Sequence, residues 1–125
     1  MQKTFMPRFN SREELLGHQL KGLQWTVQHA SNGSTLYRKK LMDAGVQADR
    51  ITTLDDIRRL PFTTADDLRE GYPLPLLSVP PQDIVRIHAS SGTTGKKKVL
   101  AYTRKDIDDW VHFFARCYEM AGLTQ

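Results

Sequence analysis

Five of the chain's six prolines, Pro61, Pro73, Pro75, Pro80 and Pro81, crowd between residues 61 and 81. Each removes a backbone donor and collides with a preceding helical turn, so neither a long helix nor a central strand can cross this stretch. The spacing predicts short helices joined by extended turns over residues 46–82, with separate architectures before and after. Thr53-Leu54-Asp55-Asp56 and Thr64-Ala65-Asp66-Asp67 supply two of the short helix starts, since a Thr ahead of acidic residues caps free amides and suits the positive end of the helix dipole.

Before the prolines the pattern is helical. Ser11-Arg12-Glu13-Glu14 has capping-box spacing. Leu16, Leu20, Leu23, Val27 and Ala30 then recur at three and four residues, marking one apolar stripe that runs to Ser31-Asn32-Gly33. Trp25 lies off the stripe, and an aromatic of that size is expected either to pack under another element or to serve a subunit contact. A second helix is predicted from Thr35 to Ala44, ended by Gly45. Asn32-Gly33-Ser34 has the form of a glycosylation sequon, but with a cytoplasmic location expected it reads as a turn.

After the prolines the period changes to two. Ile84–Ala89 and Lys98–Thr103 are β-type segments separated by a Gly/Ser/Thr run. Thr103 precedes Arg104-Lys105-Asp106, a helix start. Ile107, Trp110, Val111, Phe114, Tyr118 and Ala121 then define a broad apolar face as far as Gly122. That face needs a large partner, and the aromatic cluster at this spacing reads as core rather than as a ligand pocket. The fold class expected is α/β, mixed α+β in this chain, with a helical region over 1–82 and a strand, Gly-rich loop, strand and helix over 83–125.

Length and composition limit what this can amount to. At 125 residues, 39% hydrophobic and 26% charged, the chain is one modest globular unit at most. The net charge of +4 suits an anionic ligand without requiring nucleic acid. No apolar run approaches the ~20 residues that span a bilayer, and the first residues lack a signal-like apolar core. With a lone thiol, Cys117, which cannot form an internal disulfide and is expected to pack beside the apolar stripe, a cytoplasmic location without membrane partners is expected. His18, His29 and His112 stand apart from one another and from Cys117, so no metal site is proposed from them.

The run Ser90-Ser91-Gly92-Thr93-Thr94-Gly95-Lys96 carries the chemistry. Glycines let backbone N–H groups turn toward one centre, the hydroxyls add donors, and Lys96, Lys97 and Lys98 add charge, a combination matched to polyphosphate. It is not a Walker loop, because Ser90 stands at the first glycine position, Lys97 follows Lys96, and the run joins two strands rather than a strand and a helix. It lacks the third glycine of a dinucleotide fingerprint. Read from composition alone, a solvated hairpin loop remains open beside the phosphate cradle. His88 sits two residues before the run. On an alternating strand its neighbours Ile87 and Ala89 face the other way, and a structural role is favoured over a catalytic one.

Ser91-Gly92-Thr93-Thr94-Gly95 resembles the phosphate-binding motif of the adenylate-forming superfamily. Its flanks resemble the phenylacetate–CoA ligase branch: Pro61-Phe62-Thr63-Thr64 with Asp67-Leu68-Arg69, Tyr72-Pro73, Arg86 to Ser91, and Tyr102-Thr103 with Asp106 and Trp110. Tyr37-Arg38 and Ala44-Gly45-Val46 fit the same family's amino-terminal region, so nearly the whole chain is covered; Lys97 stands where many members carry proline.

The resemblance implies an ATP-dependent ligase that joins an aryl acid to coenzyme A through an acyl-adenylate. Ser90, Ser91, Gly92, Thr93, Thr94, Gly95 and Lys96 would hold the ATP phosphates with Mg²⁺, Thr93, Thr94 and Lys96 in direct contact. Residues 83–125 would open the adenylation domain, with the phosphate-binding loop at 90–98. The adenine and acid sites and the carboxy-terminal lysine of such enzymes are not among these residues. The chain is therefore expected to be an amino-terminal part, inactive without the remainder of the ligase chain, and marginally stable, aggregated or paired as a homodimer. A non-catalytic helical oligomerisation module, and a relative acting on another acid or a deazaflavin, are the competing expectations.

Overall fold

The computed structural model describes residues 7–90 and 97–123. Helix α1 (Arg12–Gly33) and helix α2 (Thr35–Asp43) form the first part. They are followed by 3₁₀ turns at Ala48–Arg50 and Leu54–Arg59, the short helix α3 (Ala65–Glu70), and a third 3₁₀ turn at Pro81–Asp83. Strands β1 (Ile84–Ala89) and β2 (Val99–Thr103) and helix α4 (Arg104–Met120) complete it. The mixed α+β reading, the proline-broken middle and both strands are as the sequence predicts.

Helix α1 starts where its cap dictates. Ser11 Oγ accepts from Glu14 N at 3.1 Å, while the Glu14 carboxylate reaches one residue further back, to Asn10 N at 2.8 Å. Ser34 separates the two long helices and serves both. Its N–H closes α1 on Ala30 O at 2.9 Å, its Oγ accepts from Tyr37 N at 3.1 Å as the cap of α2, and its hydroxyl donates to Pro75 O at 2.9 Å. A fully buried hydroxyl is tolerated because its O–H donates one bond and its oxygen accepts another. Helix α2 ends on Gly45 at φ 65°, a left-handed conformation that glycine adopts without cost.

The core lies between these helices. Val27, Leu41, Val46 and Ile51 are buried, with Leu23, Tyr37, Ala48 and Leu60 packed around them. At roughly 1.5–3 kcal/mol for each fully buried aliphatic side chain, this cluster stabilises the helical part only modestly. Val27 carries the α1 stripe into it, while Leu16 at the other end of the stripe stays exposed. Lys40 of α2 ties in α3 through Asp67 Oδ2 at 2.9 Å and also donates to Phe62 O at 3.0 Å. The segment 74–79, which turns at Pro75-Leu76, passes against the end of α1, so close at Gly33 that a Cβ there would lie 2.4 Å from the Cα and carbonyl oxygen of Ser78.

Helix α4 has the broad apolar face the sequence predicts, but its aromatic cluster is not the packed core expected of it. Its main packing partner is β2, and Val111, Phe113, Phe114 and Tyr118 remain substantially exposed. Cys117, expected to be packed, is exposed as well. Its spacing does place it near the stripe; among the described residues the stripe lacks a cover beyond the reach of β2. None of the helices among the described residues is long and apolar enough to cross a membrane.

Candidate functional site

The two strands pair antiparallel in the register Arg86↔Tyr102, Ile87↔Ala101, His88↔Leu100 and Ala89↔Val99, with an irregularity near Ile84. The ladder does not stop at the strand ends. Ser90 N donates to Lys98 O at 2.9 Å, and Lys98 N donates to Ser90 Oγ at 3.2 Å. Ser90 and Lys98 thus close the base of a hairpin whose connection contains the Gly/Ser/Thr run. Ser91, Gly92, Thr93, Thr94, Gly95 and Lys96 lie outside the described residues. Of the predicted phosphate ligands only Ser90 is placed. Its oxygen already accepts one bond, and its O–H is the donor it retains for a ligand.

The hairpin leads into helix α4 without a loop. Thr103 is both the last residue of β2 and the cap of α4. Its N–H and hydroxyl each donate to Asp106 Oδ2 at 2.8 Å, and its Oγ1 accepts from Asp106 N at 3.2 Å. One face of the hairpin is then gripped by rings. The Trp110 indole stacks on Tyr102 with centroids 5.6 Å apart and an interplanar angle of 19°. His88 sits 5.0 Å from the Tyr102 ring and 5.6 Å from Trp110. The aromatic series continues along α4 through Phe114 and Tyr118. The sequence reading gave His88 a structural place and Trp110 a core place; the contact between them was not visible in either pattern. A strand alternation puts His88 and Tyr102 on one face, yet which helix residue meets them depends on how α4 turns back.

A cleft of about 360 Å³ runs between α1, the segment 74–79 and β2, with Tyr102 also on its lining. Trp25 and His29 line it, their rings stacked at 4.7 Å and 8°. Trp25 therefore faces a cleft that other elements also line, and at 64% exposed it is not packed under any of them. Among the described residues, no three His, Cys, Asp or Glu side chains converge as a metal site.

No protein-family model matches the chain. Individual proteins do. Over 112 residues, 90% of its length, the chain is 46% identical to the phenylacetate-coenzyme A ligase of Escherichia coli (strain K12) and 43% identical to that of Pseudomonas putida. The Thermus thermophilus enzyme of the same name is 40% identical over 111 residues. The chain is related to the phenylacetate–CoA ligases. It spans about a quarter of the length of these relatives, 26% for the first two. A match of 112 residues within 125 necessarily takes in residues 90–98, so the hairpin connection belongs to the shared segment.

Solved structures agree. A 2-hydroxyisobutyryl-CoA ligase in complex with 2-HIB-AMP and CoA superposes with a TM-score of 0.69 at 32% identity, covering 78% of this chain and 22% of that one. An open conformation of a 2-hydroxyisobutyryl-CoA ligase, also in complex with 2-HIB-AMP and CoA, gives 0.66 at 26% identity, covering 81% and 25%. The mixed helix and two-strand arrangement is thus one found within CoA ligases.

Proposed function

We propose that this chain supplies the ATP-phosphate-binding part of a phenylacetate-type CoA ligase. The observation that carries the reading is the identity of 40–46% to phenylacetate–CoA ligases across a segment that includes the Ser90–Lys98 hairpin base. Residues 1–82 form its helical region, and residues 83–125 begin the adenylation domain.

The reaction has two steps. A carboxylate oxygen of the acid attacks the α-phosphorus of ATP, the bond to the β-phosphate oxygen breaks, and acyl-adenylate and pyrophosphate form. The thiol of coenzyme A then attacks the acyl carbon and AMP leaves. In the first step negative charge builds on the departing pyrophosphate, and fixed donors aimed at it lower the barrier without reorganising. Ser91, Gly92, Thr93, Thr94, Gly95 and Lys96 are the residues proposed to supply those donors, with Ser90 at their base. Lysine contributes a compact positive charge and glycine lets the backbone approach. The described flanks, Ser90, Lys97 and Lys98, contain no carboxylate, which suits phosphate; Mg²⁺ arriving with the ATP would neutralise part of the charge on the departing pyrophosphate. The aryl acid, coenzyme A and the rest of the ligase chain complete the site, and the 125 residues alone are not expected to turn over.

Hydrogen exchange over residues 88–100 tests this. Millimolar ATP with Mg²⁺ is expected to slow exchange in that window, and Lys96→Ala to abolish the effect. A stable dimer with no nucleotide response overturns the reading for this chain.

A further inference from the structure

We infer that His88 is a positioning residue: packed against Tyr102 and Trp110, it holds the Ser90–Lys98 base of the β1–β2 hairpin against α4. The inference rests on the phosphate-binding reading of the hairpin's connection and names what holds its base.

A two-stranded hairpin is marginal without a surface to pack on. Here α4 provides that surface, through two attachments of unequal leverage. One is the continuous chain at Thr103, where β2 becomes α4, with the Tyr102–Trp110 stack immediately beside it. Both lie at the end of the hairpin remote from the connection. From Thr103 to Val99 is four residues of strand, roughly 13 Å at about 3.3 Å per residue. A 10° pivot about Thr103 moves the far end by about 2 Å on that length. An error of 1 Å in a reacting group can cost on the order of a hundredfold in rate.

His88 is the second attachment. It pairs across the ladder with Leu100, two residues from the Ser90–Lys98 closure, and its ring touches both Tyr102 and the helix residue Trp110. Among the described residues it is the aromatic contact nearest the connection that joins the hairpin to α4. A ring at this position resists the pivot that Thr103 alone allows. The role requires a planar side chain of this size and requires no proton transfer, consistent with a nucleophilic carboxylate that needs no base.

The test compares the wild-type chain with His88→Ala, His88→Phe and Lys96→Ala. The readouts are amide exchange at Ser90 and Lys98 and calorimetric titration with ATP and Mg²⁺. In His88→Ala, which removes the ring contacts to both Tyr102 and Trp110, the Ser90 and Lys98 amides are expected to exchange about fivefold faster, with α1 and α2 unchanged, and ATP to bind about fivefold more weakly. His88→Phe, which keeps a ring and loses the imidazole, is expected to restore both. Unchanged exchange in His88→Ala, or a Phe variant no better than Ala, overturns the positioning role. A wild-type chain that binds no ATP, or a Lys96→Ala variant that binds it equally well, overturns the phosphate reading instead; the clamp is then upheld or overturned by the exchange rates alone.

Discussion

Gly33 and Gly22 lie on the same helix and should respond to the same substitution with opposite signs. In an exposed helix interior, replacing glycine by alanine is worth about 1 kcal/mol of propensity. A Cβ on Gly22 meets nothing within 4 Å, so Gly22→Ala is expected to stabilise by up to that amount. A Cβ on Gly33 meets the Ser78 backbone at 2.4–2.6 Å, and backbone cannot rotate away as a side chain can. Displacing the 74–79 segment also strains the bond from Ser34 to Pro75. Overpacking of this kind costs roughly 1–3 kcal/mol, which outweighs the propensity gain, so Gly33→Ala is expected to lower stability. Urea unfolding of the two variants beside the wild type measures the difference; a stabilised Gly33→Ala would mean that the segment is free to move.

At the scale of elements, what was readable in the sequence was local. The Ser11 cap and the stripe through Val27 foretold α1, Gly45 foretold the end of α2, and the change from period four to period two at residue 84 foretold the hairpin. What was not readable joins residues far apart. Ser34 reaches Pro75, Lys40 reaches Asp67, and Trp110 reaches His88, none of them linked by a helix or strand repeat. The aromatic face of α4 was legible as a face needing a large partner, but not how much of it β2 covers: a periodic pattern states which side of a helix is apolar and is silent on how far its partner extends. Cys117 shows the consequence, lying on the correct side and yet in solvent. The junction of β2 and α4 is, by contrast, local and testable. Removing the Asp106 carboxylate frees the Thr103 N–H and hydroxyl together. Asp106→Ala is therefore expected to cost about 1 kcal/mol and to speed amide exchange in the first turn of α4 before any change in α1.

For the molecule as a whole, two carboxylates set the response to acid. Asp56 accepts from Thr52 N and Thr53 N at 2.9 Å each, and these bonds hold its pKa down at about 2. Asp67 is held down to about 2 as well, first by the Lys40 ammonium and then by Thr64 N. Both carboxylates titrate in the unfolded chain near 3.8. Because the folded values are depressed, the stabilisation is fully present above the unfolded pKa and is lost as pH falls through the folded one. The melting temperature is accordingly expected to stay level from pH 7 to about 5 with respect to these two groups, and to fall progressively between about pH 4 and 2. Asp67 joins α3 to α2 across the proline-rich middle, whereas Asp56 caps its own turn. Asp67→Asn should therefore lower the plateau and flatten the acid limb while loosening the attachment of α3 at neutral pH. Asp56→Asn should flatten the limb and leave that attachment intact. Circular dichroism melts of the three proteins across this range decide it: equal slopes in all three would place the acid sensitivity elsewhere in the chain.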